Sequence, residues 1–138
     1  MHTRTRPTKE LRILKLLIDT HVYLWWLQDS PKLSEKARAQ IQDATEVYVS
    51  SASIWEATIM ASIGKLSVDV DQLVAEISRS GFQELAITAT HAAMVARLPD
   101  IHKDPFDRIL IAQTMSEPLR FLTADAILKS YSELVEII

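Results

Sequence analysis

The stretch ILKLLIDTHVYLWWL, residues 13–27, decides how the rest of the chain is read. Its opening residues are apolar apart from Lys15, too few and too continuous to form one face of a helix. They match a strand buried on both sides of a parallel sheet. The run closes on Asp19, and VYLWWL then continues as a helix, so the stretch reads strand, acid, helix. Functional groups of open α/β sheets collect where strands end and helices begin, which makes Asp19 the first candidate for chemistry.

Working outward, the same alternation repeats. Ser34 precedes a helical stretch to about Gln42, and EVYVS is a second strand ending near Ser50. Ser50 or Ser51 caps the next helix, SASIWEATIMASI, which stops at Gly64 and is apolar on nearly every face, predicting a largely buried helix. An amphipathic helix covers about Asp69 to Ser80, and QELAI after Gly81 is a third strand. Thr88 opens a helix to Arg97, and LPDIHKD is a loop. Asp104 then supplies an acidic N-cap with Pro105 at the first helical position, and this helix runs to about Ser116. RFLTA is a fourth strand, Asp125 to Ser130 a short helix, and LVEII a last strand. Strands alternating with helices predict an α/β/α sandwich with a mostly parallel central sheet of about five strands.

Composition sets the outer limits. With 138 residues and 48% hydrophobic side chains, the chain suits one core, here assigned to residues 13–138 as a single domain. Residues 1–12 read as a disordered or extended tail that carries Arg4, Arg6, Lys9 and Arg12 against Glu10. Cysteine is absent, which excludes disulfides, thiolate metal sites and cysteine nucleophiles. No apolar run approaches the roughly 20 residues that span a bilayer, and no signal-peptide core is seen, so a cytoplasmic protein is expected. A net charge of −3 does not advertise a nucleic-acid binder.

Sorting the 18 acidic residues by place in the chain isolates a few. Asp19 ends the first strand, Asp125 follows the fourth, and Asp107 opens a helix. Glu56 lies two turns into an otherwise apolar helix, where an unpartnered carboxylate is costly. Singly, Asp19 and Asp125 can serve as helix caps and Asp107 as the third-position acid of a capping box with Asp104. Together in one crevice they would repel each other unless a divalent cation neutralised them, and an all-oxygen set suits Mg²⁺ or Mn²⁺.

The segments LLIDTHVYLWWL, VSSASIWEATIMASIGKL, HKDPFDRILIAQ and FLTAD, in this order and spacing, resemble the PIN-domain toxins of the VapC type from prokaryotic toxin–antitoxin pairs. The resemblance covers about Leu16 to the C-terminus. It implies a PIN-like α/β/α fold, four acids around one or two Mg²⁺ or Mn²⁺ ions, and hydrolysis of RNA to 5′-phosphate and 3′-hydroxyl ends. Carried over by position, the catalytic and metal-binding acids are Asp19, Glu56, Asp107 and Asp125, with Asp19 and Asp107 as principal ligands. Within DPFDR it is Asp107 that stands at the family's spacing from the apolar helix, and Asp104 is left as the N-cap. Thr20, Ser50 and Thr123 match hydroxyl positions near the acids, whereas His21 stands where many members have Asn or Ser. The resemblance also implies a cognate antitoxin whose tail brings a basic side chain toward the acids, and a homodimer.

Other residues receive blander readings. Trp25, Trp26 and the helix from Ser51 to Ile63 are expected to form core or an interface for the antitoxin tail. His91 and His102 share no ligand spacing and stay outside the site. Lys103 and Arg108 are read as solvated charges or phosphate contacts. The competing function is a noncatalytic PIN-fold interaction module. A phospho-receiver domain would need an acidic pair after the first strand and a late lysine, and a haloacid-type phosphatase a second Asp where His21 stands.

Overall fold

A computed structural model describes residues 14–138; the tail assigned to residues 1–12, and Ile13, lie outside the described residues. The central sheet has five strands, β1 (Lys15–Ile18), β2 (Glu46–Ser50), β3 (Gln83–Leu85), β4 (Arg120–Thr123) and β5 (Val135–Ile137), in the spatial order β3-β2-β1-β4-β5. Every pairing is parallel, and Ile18 of β1 lies in register with Val49 of β2 and Leu122 of β4. The sheet is therefore parallel throughout.

Burial on both faces explains the unbroken apolar strands. Leu16 and Ile18 pack into one core with Val49 and Leu122, while Leu17, between them, packs on the other side with Phe121, Leu110 and Ile111. Successive strand side chains point to opposite faces, so a strand covered on both sides must be apolar at every position. Helices α1 (Thr20–Gln28), α2 (Glu35–Asp43), α3 (Ser51–Ser62), α4 (Val70–Arg79), α5 (Ala89–Met94) and α6 (Pro105–Ser116) supply the covering layers. The result is a three-layer α/β/α sandwich. Short 3₁₀ helices follow α5 (Val95–Arg97) and β4 (Ala126–Tyr131).

Local sequence accounts for the boundaries. The Ser34, Ser50, Asp69, Thr88 and Asp104 side chains each accept a hydrogen bond from a backbone N–H in the first turn of their helix. Gly64 and Gly81 follow α3 and α4 with φ of +79° and +80°, the left-handed region that L side chains resist. Three expectations need correction. QELAI contributes only Gln83–Leu85 to the sheet, and the helix from Thr88 tightens into 3₁₀ at Val95. More substantially, α3 is not largely buried: only Ala52, Ser53 and Ala57 are, while Trp55 is 61% exposed and Ile63 60%. An apolar helix lying over one face of a sheet can bury only one side, and the small residues took that side.

Strand order places the site. The chain leaves β1 toward β2 and β3, then returns to add β4 and β5 on the opposite flank of β1. The direction of winding reverses between β1 and β4, which opens a crevice at their carboxyl ends. Asp19 and Asp125 follow those two ends.

Candidate active site

A cleft of about 580 Å³ opens there, lined by Asp19, His21, Trp25, Glu56, His102, Asp104, Asp107, Ala124 and Asp125. The four acids singled out from the sequence thus share one cleft, delivered by the end of β1, the second turn of α3, the first turn of α6 and the loop after β4. No Lys or Arg is among its lining residues.

Asp19 is the most enclosed of the four, 7% exposed. Its Oδ1 accepts the Thr20 backbone N–H at 2.6 Å, which caps α1, and its Oδ2 accepts the Thr123 hydroxyl at 2.6 Å. Thr123 Oγ1 in turn accepts the Asp125 N–H at 3.1 Å, linking the two acids through one side chain. Asp125 also caps the 3₁₀ helix, its Oδ1 accepting from Ile127 N at 3.2 Å. Capping and cleft lining therefore coincide at both residues. The Thr20 hydroxyl donates to buried Ser53 at 2.8 Å, one turn before Glu56. Ser50 accepts from Ala52 N at 3.0 Å and so starts the helix that carries Glu56.

Electrostatics follow from this crowding. Burial pushes the Asp19 carboxyl above its ordinary range and Asp125 adds repulsion, against the opposing hydrogen bonds of Thr123 and Thr20. Burial likewise raises Glu56, with Asp19 and Asp104 as repelling neighbours and the Thr20 hydroxyl pulling the other way. Asp107 is pushed up to about 6, first by burial and then by Asp19, although His102 lowers it. Desolvation and neighbouring like charge both favour the neutral form of a carboxyl, which is the direction all three take.

The cleft also holds residues that the sequence placed outside it. His102 Nε2 lies 2.8 Å from Asp107 Oδ2, although no ligand spacing marks His102 because it sits in a loop. One ligand atom each from His102, Asp104 and Asp107 falls within 4.8 Å of the others. Asp104 does cap α6, its Oδ1 accepting from Phe106 N at 2.8 Å and Asp107 N at 3.2 Å, yet it lines the cleft as well. Ser53 was readable in principle, being three residues before Glu56 on the same helix face. His91, by contrast, is a buried structural residue whose Nδ1 accepts the Thr88 N–H at 3.0 Å and whose Nε2 meets Glu117 at 2.7 Å.

The cationic neighbours are elsewhere. Lys103 and Arg108 line a separate apolar groove with Trp55, Ile87 and Phe106. Arg108 is no solvated charge either, since its guanidinium is spent on backbone carbonyls of the preceding loop. The tandem tryptophans part company: Trp25 faces the acid cleft, whereas Trp26 packs on Phe82 at 5.3 Å between ring centroids and donates to Ser80 at 3.3 Å.

The residues present suit a divalent cation. Carboxylates from four elements converge, three have raised affinity for a positive charge in the form of a proton, and no Lys or Arg lines the cleft to compete for them.

Comparison with known proteins agrees with this architecture. The chain is 28% identical over 121 residues to ribonuclease VapC22 of Mycobacterium tuberculosis, an alignment covering 84% of this chain and 91% of that one. Its fold is similar to the crystal structure of VapBC2 from Rickettsia felis bound to a promoter DNA fragment, with a TM-score of 0.68, 14% identity, and 90% and 98% of the two chains covered. A toxin–antitoxin complex from Klebsiella pneumoniae superposes with a TM-score of 0.62 at 14% identity, covering 88% of this chain and 95% of that one. The PIN domain family model matches residues 16–134, and the chain belongs to that family.

Proposed function

We propose that this protein is a metal-dependent endoribonuclease acting as the toxin of a cytoplasmic toxin–antitoxin pair. The observation that carries the reading is the cleft itself, where Asp19, Glu56, Asp107 and Asp125 meet with no Lys or Arg in the lining. A ribonuclease and a toxin–antitoxin complex among its relatives support it.

Asp19 and Asp107 would be the principal ligands of Mg²⁺ or Mn²⁺, with Glu56 and Asp125 holding a second ion or orienting water. A divalent ion in such a site acidifies bound water and offsets charge on a phosphodiester. The chain's own residues prepare the place. Thr123 and the Thr20 N–H fix both oxygens of Asp19, and Ser53 and Thr20 hold the floor beneath Glu56. Burial and mutual repulsion would favour a bound cation, and through it the cleft would accept an RNA phosphate. Products would carry 5′-phosphate and 3′-hydroxyl ends.

The antitoxin would use the exposed apolar side of α3, where Trp55, Ile59 and Ile63 are uncovered, and place a cation over the neighbouring acids. A homodimer would bury part of the same surface.

The test is cleavage of labelled RNA with and without EDTA, by the wild type and by Asp19→Asn. Cleavage that needs metal and is lost in Asp19→Asn supports the reading. A folded protein that binds RNA or an antitoxin but never cuts would establish the noncatalytic interaction module instead.

A further inference from the structure

Residues 98–104 join the 3₁₀ turn after α5 to the start of α6, and their main chain is held by side chains from outside the loop. Arg108 reaches back from α6: its Nη1 donates to Pro99 O at 3.0 Å, His102 O at 3.3 Å and Tyr131 Oη at 3.3 Å, and its Nη2 donates to Val95 O at 3.2 Å. Tyr131 comes from the 3₁₀ helix that Asp125 caps, and its Oη lies 3.2 Å from His102 O. A guanidinium can only donate, so Tyr131 Oη accepts from Arg108 and gives its own proton to His102 O. Two donors therefore converge on the carbonyl of one loop residue. The imidazole of that residue meets Asp107 Oδ2 at 2.8 Å.

We infer that His102 is a positioning residue for the Asp107 carboxylate, and that Tyr131 and Arg108 act through it as a clamp. The inference rests on the proposed role of Asp107 as a metal ligand. The main chain of Asp107 is set by the Asp104 cap, which leaves its side chain free to rotate unless something holds the far end. His102 holds that end. If the clamp served the loop alone, its carbonyl contacts would suffice and the imidazole would have no need to face the cleft. Because Tyr131 belongs to the segment after Asp125, the clamp also ties the carriers of two acids from different elements into one unit.

Groups that orient metal-ligating carboxylates typically change metal affinity by about 10–100-fold when removed. The experiment measures Mn²⁺ and Mg²⁺ binding by calorimetry, beside metal-dependent RNA cleavage, for the wild type, Asp19→Asn, His102→Ala, His102→Gln, Tyr131→Phe and the double variant His102→Ala/Tyr131→Phe. His102→Ala is expected to weaken Mn²⁺ binding about tenfold. His102→Gln, which keeps an N–H donor at similar reach, should recover most of it. Tyr131→Phe should weaken binding in the wild-type background and add nothing once the imidazole is gone, the non-additivity expected of residues that act in series.

Wild-type metal binding in His102→Ala overturns the inference, and so does a Gln variant no better than Ala. Additive losses overturn the clamp. Should His102→Ala not fold, His102→Gln and Tyr131→Phe carry the comparison alone, and wild-type affinity in Tyr131→Phe then counts against it. If Asp19→Asn abolishes metal binding while the His102 variants bind normally, the site reading stands and only the positioning role falls. If the wild type binds neither metal at millimolar concentration, both fall together.

Discussion

Thr123 and the Thr20 backbone leave neither oxygen of Asp19 without a donor, whereas Asp107 relies on a single imidazole, and the two carboxylates respond differently to change. Asp107 has a folded pKa of about 6 against 3.8 in the unfolded chain, so the native state holds the proton more tightly. The metal-free protein therefore loses stability as pH rises from about 4 to about 6 and stays lower above that, by about 3 kcal/mol from this group alone. Asp107→Asn removes the charge and is expected to raise the melting temperature of the metal-free protein at pH 7.5, with a smaller gain at pH 4. Thermal melts in EDTA at the two pH values check this, and a lower melting temperature at pH 7.5 would contradict the electrostatic account. Asp104→Ala should do the reverse, costing about 1 kcal/mol as a lost N-cap, while Asp104→Asn, which keeps an acceptor, should cost little. Urea midpoints for the pair separate the cap from the charge.

At the scale of elements, α3 and α6 carry Glu56 and Asp107 and are both apolar in sequence, yet they are anchored unequally. Leu110, Ile111 and Ala112 of α6 are fully enclosed, whereas α3 rests on Ala52, Ser53 and Ala57 and turns Trp55, Ile59 and Ile63 outward. Leu110→Ala is thus expected to destabilise by about 2–5 kcal/mol, the range for a large core residue. Ile63→Ser should change stability by less than about 0.5 kcal/mol. Denaturant titration of both variants checks the pair; a large loss at Ile63 in the isolated chain would mean that this side is covered. The same exposed side is what a protein partner would bury.

On the scale of the whole molecule, a sheet that brings five carboxylates together is expected to be less stable without a counter-ion than its core would allow. Mn²⁺ at a hundred times its dissociation constant is expected to add about 2.7 kcal/mol. The gain should shrink as pH falls through about 6, because protonating Asp107 would remove one of the proposed ligands. Melting curves with and without metal at pH 7.5 and 5, for the wild type and Asp19→Asn, check this. An equal shift in Asp19→Asn would place the ion elsewhere.

The sequence by itself determined the order of strands and helices, their caps and four of the five cleft acids, because each of these rests on short-range rules. Unbroken apolar runs mean strands buried on two faces, Ser or Asp before a helix means a cap, and an acid at a strand end or inside an apolar helix is conspicuous. Only the tertiary structure decided which side of α3 meets the sheet, since its composition offers no polar stripe to orient it. It alone brought His102 to Asp107 and turned Arg108 away from the cleft. A loop has no periodicity from which direction can be read, and a guanidinium goes to whichever carbonyls the fold leaves within reach.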